Sequence, residues 1–295
     1  MFQKKPWVFW KNILPGRDKM IQKIQNTKGT FFLLLSGGPI WFLLTLLALF
    51  FHQPVLAIDH SYASYDALLK ENVVVNGPES TVRYSNIQKN PQSFNQFIRE
   101  IESVTQAEYQ SWTTNQKKAF LINAYNALTV QLILTKYPDL ESIKDLGSFF
   151  SSPWKKKFFT LFGEKQYLDY IEHEVLRKDY ADARIHFVVV CASIGCPALR
   201  NEAYVAERLD GQMDEATKLF LSDSTRNRFN AGKNQLELSS IFKWYKQDFI
   251  KSKGSVEAYV APWITSDSAA QMRIKNQEVG LNFLDYDWSL NKADD

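Results

Sequence analysis

The sequence AFLINAYNAL, residues 119–128, lies inside an apolar segment that extends over 116–136. Thr113 or Thr114 can cap this segment as a helix, and the helix must end before Pro138. Its apolar side chains occupy every face of the helix instead of a single stripe. We therefore expect a helix that is buried at the centre of the protein, with the other elements packed around it.

Shorter elements are predicted on both sides of this central helix. Helical spacing of apolar residues predicts further helices at 62–71, 94–104, 169–178, 206–221 and 242–250. Turn signals and β-branched runs predict strands or hairpins at 73–75, 159–168, 184–192, 228–238 and 281–288. The predicted fold class is α+β, a single domain with a small, partly antiparallel sheet packed on the buried central helix and surrounding helices.

The composition is that of a globular protein, with 45% hydrophobic and 23% charged residues among 295 and a net charge of +3. Seven of the 35 Lys and Arg residues, but only one of the 32 acidic residues, lie in residues 1–57. The remainder of the chain is therefore slightly acidic. This charge distribution predicts no nucleic-acid-binding surface.

The N-terminal segment has the pattern of an export signal. No charged residue occurs between Gly29 and Ile58, and the small residues Val55 and Ala57 precede Ile58 at the spacing of a signal peptidase site. Two alternatives remain, a cleaved signal peptide and an uncleaved membrane anchor through residues 31–51. Met20 is a plausible alternative start. Either alternative predicts an extracytoplasmic protein, periplasmic or secreted, with membrane contact only through 31–51 if that segment is retained.

The domain organisation expected from these patterns is simple. Residues 1–57 form the signal peptide or anchor, 58–92 an N-terminal lead-in, and 93–291 one globular domain. No repeat, low-complexity tract or long linker divides the chain after residue 58.

Two asparagines interrupt the apolar central helix. Asn123 and Asn126 are three residues apart and therefore share one face. Buried amides need hydrogen-bond partners, because an unpaired one costs about 1–3 kcal/mol. Two interpretations remain open: a structural pair that braces loops over the core, and a site face that orients a ligand or an imidazole.

Glu172 and His173 occupy an unexpected position on the helix predicted at 169–178. Glu172 falls within the apolar stripe of that helix, and His173 lies at the edge of the stripe. A carboxylate on a buried face must be paired, neutralised or used. The alternatives are an ion pair with a nearby arginine such as Arg184, and a role in a functional site.

Cys191 and Cys196 admit three interpretations. They can form a disulfide in an exported protein, remain as two inert buried thiols, or provide a nucleophile at Cys191. On a straight strand, His186 and Cys191 would lie roughly 16 Å apart and on opposite faces. His173 is therefore the better general base for Cys191, and we expect His186 to meet Glu172 or the asparagine face.

No motif indicates a cofactor or a resident metal. The C-x4-C spacing is neither the C-x2-C of a redox motif nor that of a zinc knuckle, and no helical histidine pair supports a metal site. The sequence also contains no glycine-rich phosphate loop and no G-x-S-x-G elbow.

Several of these stretches together resemble the family catalogued as domain of unknown function 547. The resemblance rests on 119–128, on Ile171-Glu172-His173 and on 184–199, and 283–288 is similar to the usual end of that family. It covers roughly residues 93–291. It implies domain limits, but no settled activity, substrate or cofactor.

Two functional hypotheses follow for the exported domain. The first is a thiol-dependent amide hydrolase or acyl transferase of papain-like or transglutaminase-like chemistry, acting on an unknown envelope substrate. Its candidate catalytic residues are Cys191, His173, His186, Asn123, Asn126 and Glu172. The second is a non-catalytic envelope binding or scaffold domain, in which the same residues form a structural network and the cysteines are bridged.

Overall fold

The structure is a computed structural model, and it describes residues 58–148 and 151–293. The signal or anchor segment expected at 1–57 lies outside the described residues. Within the described part of the chain, no helix combines the length and the apolar character needed to cross a membrane.

Helices dominate the described residues. In chain order they are α1 (Ala63–Asn72), α2 (Tyr84–Lys89), α3 (Gln92–Ser103), α4 (Gln106–Ser111), α5 (Thr114–Leu134), α6 (Leu209–Leu221), α7 (Ile241–Trp244), α8 (Lys246–Lys253), α9 (Val256–Ile264) and α10 (Ser268–Lys275). A π-helix spans Tyr170–Tyr180, and short 3-10 helices span Ile143–Leu146, Pro153–Lys155, Ala183–Phe187 and Ala231–Lys233.

The strands in the described part of the chain form three small sheets. They are β1 (Val73–Asn76), β2 (Glu79–Val82), β3 (Phe159–Leu161), β4 (Glu164–Gln166), β5 (Arg228–Asn230), β6 (Gln235–Ser239) and β7 (Gly280–Leu284). β1–β2 and β3–β4 are antiparallel hairpins, whereas β6 pairs antiparallel with β5 and parallel with β7. The α+β class, with a small and partly antiparallel sheet, is thereby confirmed.

The central helix α5 is buried as the sequence predicts. The Thr113 hydroxyl accepts a hydrogen bond from the Gln116 N–H, and the Gln116 side chain accepts one from the Thr113 N–H. This reciprocal cap satisfies two of the free N–H groups at the start of the helix. α5 packs against α2, α3 and the π-helix, and Leu121 and Ile122 are completely buried.

The lead-in 58–92 contributes α1, β1, β2 and α2 to the same packed core. α1 contacts α3, and α2 contacts α5. Ile58 and Tyr65 are buried in this core. The expected boundary at residue 93 stays a prediction.

The strand predicted at 184–192 is wrong. Residues Ala183–Phe187 form a 3-10 helix, and residues 188–192 belong to no strand. The backbone of Val188 and Val190 is hydrogen-bonded instead by the Asn126 side chain. The β-branched run therefore reflects burial of these side chains and not a sheet. Helices α9 and α10 were also not among the predicted elements.

Candidate ligand-binding cavity

A cavity of about 270 Å³ lies where the π-helix, the 3-10 helix Ala183–Phe187, α7 and the C-terminal segment meet. It brings together four of the six candidate residues, Glu172, His173, His186 and Cys191. Asn123 and Asn126 do not line it. A larger groove of about 880 Å³ beside α9 and α10 contains none of the six.

Glu172 is buried at the wall of this cavity, and none of the arginines that the structure describes forms an ion pair with it. Its Oε2 accepts a hydrogen bond from the Tyr125 hydroxyl at 3.2 Å, and the Tyr245 hydroxyl also bonds to this carboxylate. Burial, with the Glu172 charge next, raises the pKa of both tyrosines, so both hydroxyls stay protonated and donate. Among the described residues, no Lys or Arg nitrogen lies within 4.0 Å of Glu172.

Arg184 is not the partner of Glu172, which corrects the first alternative drawn from the sequence. Its guanidinium binds Asp182, Asp210 and Asp214 at 2.7–2.9 Å. Three carboxylates on another part of the surface therefore engage this arginine.

His186 is almost completely buried, with 3% of its surface exposed. Its Nε2 lies 2.8 Å from Asp248 Oδ2, and its ring stacks on Tyr245 at 3.8 Å between centroids. Burial lowers the pKa of His186, so the ring is neutral and Nε2–H donates to the Asp248 carboxylate. Nδ1 then carries a lone pair, and it has no hydrogen-bond partner within the described ranges 58–148 and 151–293. It faces Glu172 Oε1 at 3.8 Å, beyond hydrogen-bond distance.

Asp248 holds both His186 and Arg177. Arg177 Nε donates to Asp248 Oδ2 at 2.6 Å. Burial acts to raise the pKa of Asp248, but the hydrogen bonds from His186 and Arg177 outweigh it, and the pKa is lowered. Asp248 is therefore ionised and fixes the orientation of both side chains.

His173 lies on the same wall, one turn before Arg177. Its Nδ1 is 3.0 Å from an Arg177 nitrogen, and its Nε2 is 3.7 Å from Asp169 Oδ1. Arg177 donates a hydrogen bond to Nδ1. The Nδ1 atom is therefore an acceptor for Arg177 and is not available as a base for Cys191. Burial raises the pKa of Asp169, and Glu172 adds to this effect, although His173 and Lys155 oppose it.

Cys191 and Cys196 form a disulfide, with their Cα atoms 6.2 Å apart. This corrects the expected role of Cys191 as a resting nucleophile, because a bridged sulfur has no thiolate. The Tyr286 hydroxyl lies 3.2 Å from each sulfur. Since the predicted strand is absent, His186 and Cys191 line one cavity instead of pointing to opposite faces.

The disulfide loop packs closely against the C-terminal segment. Gly195 N–H donates to the Asp287 carbonyl at 2.9 Å, and Ile194 N–H donates to the Ser289 carbonyl at 2.8 Å. A Cβ on Gly195 would lie 2.9 Å from that Asp287 oxygen, so only glycine permits this approach. The loop thereby brings the aromatic residues of the C-terminal segment to the cavity.

The two asparagines of α5 hold loop backbone. Asn123 bonds to both the N–H and the carbonyl of Tyr204, at 3.0 and 2.8 Å. Asn126 bonds in the same two-point manner to the Val190 N–H and the Val188 carbonyl, at 3.0 and 2.9 Å. Of the two interpretations left open by the sequence, the geometry matches the structural one, because both ends of each amide bond to loop backbone.

Sequence reasoning missed the aromatic side of the cavity, which consists of Trp154, Trp244, Tyr286 and Trp288. These rings lie next to one another, with centroids 4.6–5.8 Å apart. Trp244 is 47% exposed, which is unusual for so large an apolar side chain. Two of these four residues, Tyr286 and Trp288, lie within the C-terminal motif 283–288, and that motif was the signal available in the sequence.

Among the described residues, no group of three or more His, Cys, Asp and Glu side chains is arranged to hold a metal ion.

Fold and site together define an α+β domain with an acidic, tryptophan-lined cavity whose wall contains a disulfide. Residues 109–221 match the model of the family described as protein of unknown function, DUF547. The match confirms the resemblance over 119–128, 171–173 and 184–199. Neither the curated proteins nor the solved structures compared with the chain gave a match.

Proposed function

We propose that this domain binds a small organic ligand in the tryptophan-lined cavity. The observation that carries the proposal is the convergence of Trp154, Trp244 and Trp288 with the buried Glu172 carboxylate on one cavity of about 270 Å³. A mainly apolar wall with a few oriented polar groups is typical of small-molecule sites. Aromatic faces supply contact area, and the carboxylate supplies orientation.

Binding is favoured over thiol catalysis by the state of the candidate catalytic residues. Cys191 is bridged, and the Nδ1 atom of His173 is engaged by Arg177. The side chains of Asn123 and Asn126 are already hydrogen-bonded to loop backbone. A papain-like arrangement needs a free thiol, an available imidazole and an amide that orients it. The second hypothesis from the sequence therefore fits better.

We also propose that the domain acts outside the cytoplasm. The uncharged segment before Ile58 and the small residues Val55 and Ala57 support export. The Cys191–Cys196 disulfide supports the same location, because such bonds persist in oxidising compartments.

The binding proposal is tested by tryptophan fluorescence of the full chain during titration with a panel of small amines, alcohols and sugars. We expect at least one class to change the emission, because three indole rings border the site. Trp244→Ala should weaken that binding. Trp263→Ala is the matched control, since Trp263 is also exposed but lines the separate groove.

A panel in which no member binds would contradict the proposal. Binding that survives in Trp244→Ala and is lost in Trp263→Ala would contradict it as well, since the occupied site would then be the larger groove.

A further inference from the structure

We infer that the ligand of this cavity is an organic cation, a primary amine or guanidine attached to an apolar body. This inference rests on the proposed binding function and names its ligand class. It is carried by three features of the cavity: a buried carboxylate that has no Lys or Arg partner among the described residues, a buried imidazole nitrogen beside it that has no hydrogen-bond partner among the same residues, and aromatic rings around both.

The first feature is the charge of Glu172. A buried carboxylate is costly unless a cation or several donors compensate it. Glu172 receives two tyrosine hydroxyls but no Lys or Arg nitrogen within 4.0 Å among the described residues. The guanidinium of Arg177 is engaged by Asp248 at 2.6 Å, so its charge is already compensated. A ligand cation supplies the missing partner.

The second feature is the direction of the free acceptors. Among the residues that the structure describes, His186 Nδ1 has no hydrogen-bond partner, although the residue is 97% buried, and it faces Glu172 Oε1 at 3.8 Å. Both atoms accept and neither donates, because His186 gives its proton to Asp248 through Nε2. A ligand group with several N–H donors satisfies both acceptors, whereas an ether, ester or carboxylate satisfies neither.

The third feature is the aromatic surface. Tyr245, Tyr286, Trp154, Trp244 and Trp288 border the same cavity. Aromatic faces attract cations through the ring quadrupole, most strongly for tryptophan and most strongly away from water. The protein already shows this chemistry at the edge of the site, where Lys144 Nζ lies 4.7 Å from the Trp288 ring centroid.

The test is calorimetric titration of the full chain with three probes at neutral pH: benzylamine, benzyl alcohol and methyl glucoside. Benzylamine is charged at this pH, and benzyl alcohol has nearly the same shape without the charge. We expect benzylamine to bind at least roughly tenfold more tightly than benzyl alcohol, since it gains both the carboxylate and the ring contacts.

A variant pair assigns the preference to Glu172. Glu172→Gln should remove most of the preference for benzylamine over benzyl alcohol. Glu174→Gln is the matched control, because Glu174 lies on the same π-helix but is exposed to solvent and does not line the cavity. If Glu172→Gln does not fold, the comparison of the probes on the unmodified protein still decides the question.

The outcomes separate this inference from the proposed function. Benzyl alcohol or methyl glucoside could bind as tightly as benzylamine or more tightly, with binding that Trp244→Ala weakens. This outcome would overturn the inference of a cationic ligand and would still support the proposed binding site. A benzylamine preference that Glu172→Gln retains also overturns the cation site. No binding of any probe counts against both.

Discussion

Glu172 is a buried acid whose neighbours are tyrosine hydroxyls and imidazoles, with no Lys or Arg nitrogen within 4.0 Å among the described residues, and this sets the expected effect of neutralising it. Glu172→Gln keeps the shape and leaves no cation stranded, so we expect the free energy of unfolding to change by less than about 1 kcal/mol. An unpaired Lys or Arg left in the core would instead cost about 3–5 kcal/mol.

Asp182→Asn provides the contrasting variant for the same measurement. Asp182 pairs with Lys118, whose side chain is 9% exposed, and hydrogen bonds from Arg184 and Lys118 outweigh burial and lower its pKa to about 2. Its neutralisation leaves Lys118 buried without its partner, so a loss of about 3 kcal/mol is expected in urea unfolding. If Glu172→Gln costs as much as Asp182→Asn, Glu172 has a cationic partner and the argument for its free charge fails.

His186 predicts a pH dependence of stability. Burial lowers its pKa in the folded protein below the value of about 6.5 expected for the unfolded chain. Below pH 6.5 the unfolded chain therefore binds more protons than the folded one. The contribution of neutral His186 to the free energy of unfolding is fully present above pH 6.5 and is lost as the pH falls below this value.

The measurement is urea unfolding at pH 7.5 and at pH 5.5. His186→Gln should reduce the difference in unfolding free energy between the two conditions. His60→Gln is the control, because burial also lowers the pKa of His60, but that ring is less buried and should contribute less. Equal pH dependence in the parent and in His186→Gln would show that His186 does not titrate as described.

The central helix α5 shows how far the sequence specifies an element and where it stops. The apolar pattern and the Thr113 cap predicted its position and burial correctly. The prediction of a strand at 184–192 was wrong, because a β-branched run indicates that the side chains are buried but does not indicate which groups form hydrogen bonds with the backbone. That pairing comes from Asn126, which is 62 and 64 residues away in sequence. No local pattern contains such a contact.

The variant Asn126→Ala tests whether the Asn126 amide takes the place of a neighbouring strand as the hydrogen-bond partner of this loop. The change leaves the Val190 N–H and the Val188 carbonyl buried without partners, and a loss of about 3 kcal/mol is expected. Thr129→Val on the same helix is the control, because the Thr129 hydroxyl bonds only to the Tyr125 carbonyl one turn earlier. Thermal unfolding of both variants provides the comparison. Equal melting temperatures would show that Asn126 does not hold the loop.

The whole molecule combines an α+β domain with an N-terminal segment that the structure does not describe. From the sequence, Glu172, His173, His186 and Cys191 were recognised as unusual, and the fold brings them to one cavity. The tryptophans were not recognised, because Trp154, Trp244 and Trp288 are far apart in sequence and meet only through long-range packing. Only Trp288 lies in a motif that was singled out from the sequence, the C-terminal motif 283–288.

Export makes a prediction about the mature N-terminus. If the signal is cleaved, N-terminal sequencing of the protein recovered from cells should begin at Ile58, because Val55 and Ala57 occupy the −3 and −1 positions. An intact N-terminus in a membrane-bound form would favour the anchor. Intact protein in the cytoplasmic fraction would contradict export.

Intact-mass analysis after alkylation distinguishes most directly between a bridged binding domain and a thiol enzyme. The full chain is purified without reductant and treated with iodoacetamide at neutral pH in its folded state. We predict no adduct and a mass about 2 Da below that of the reduced chain, because Cys191 and Cys196 are joined. A folded protein that carries one adduct on Cys191 would contradict this assignment and would support the hypothesis that Cys191 is a nucleophile.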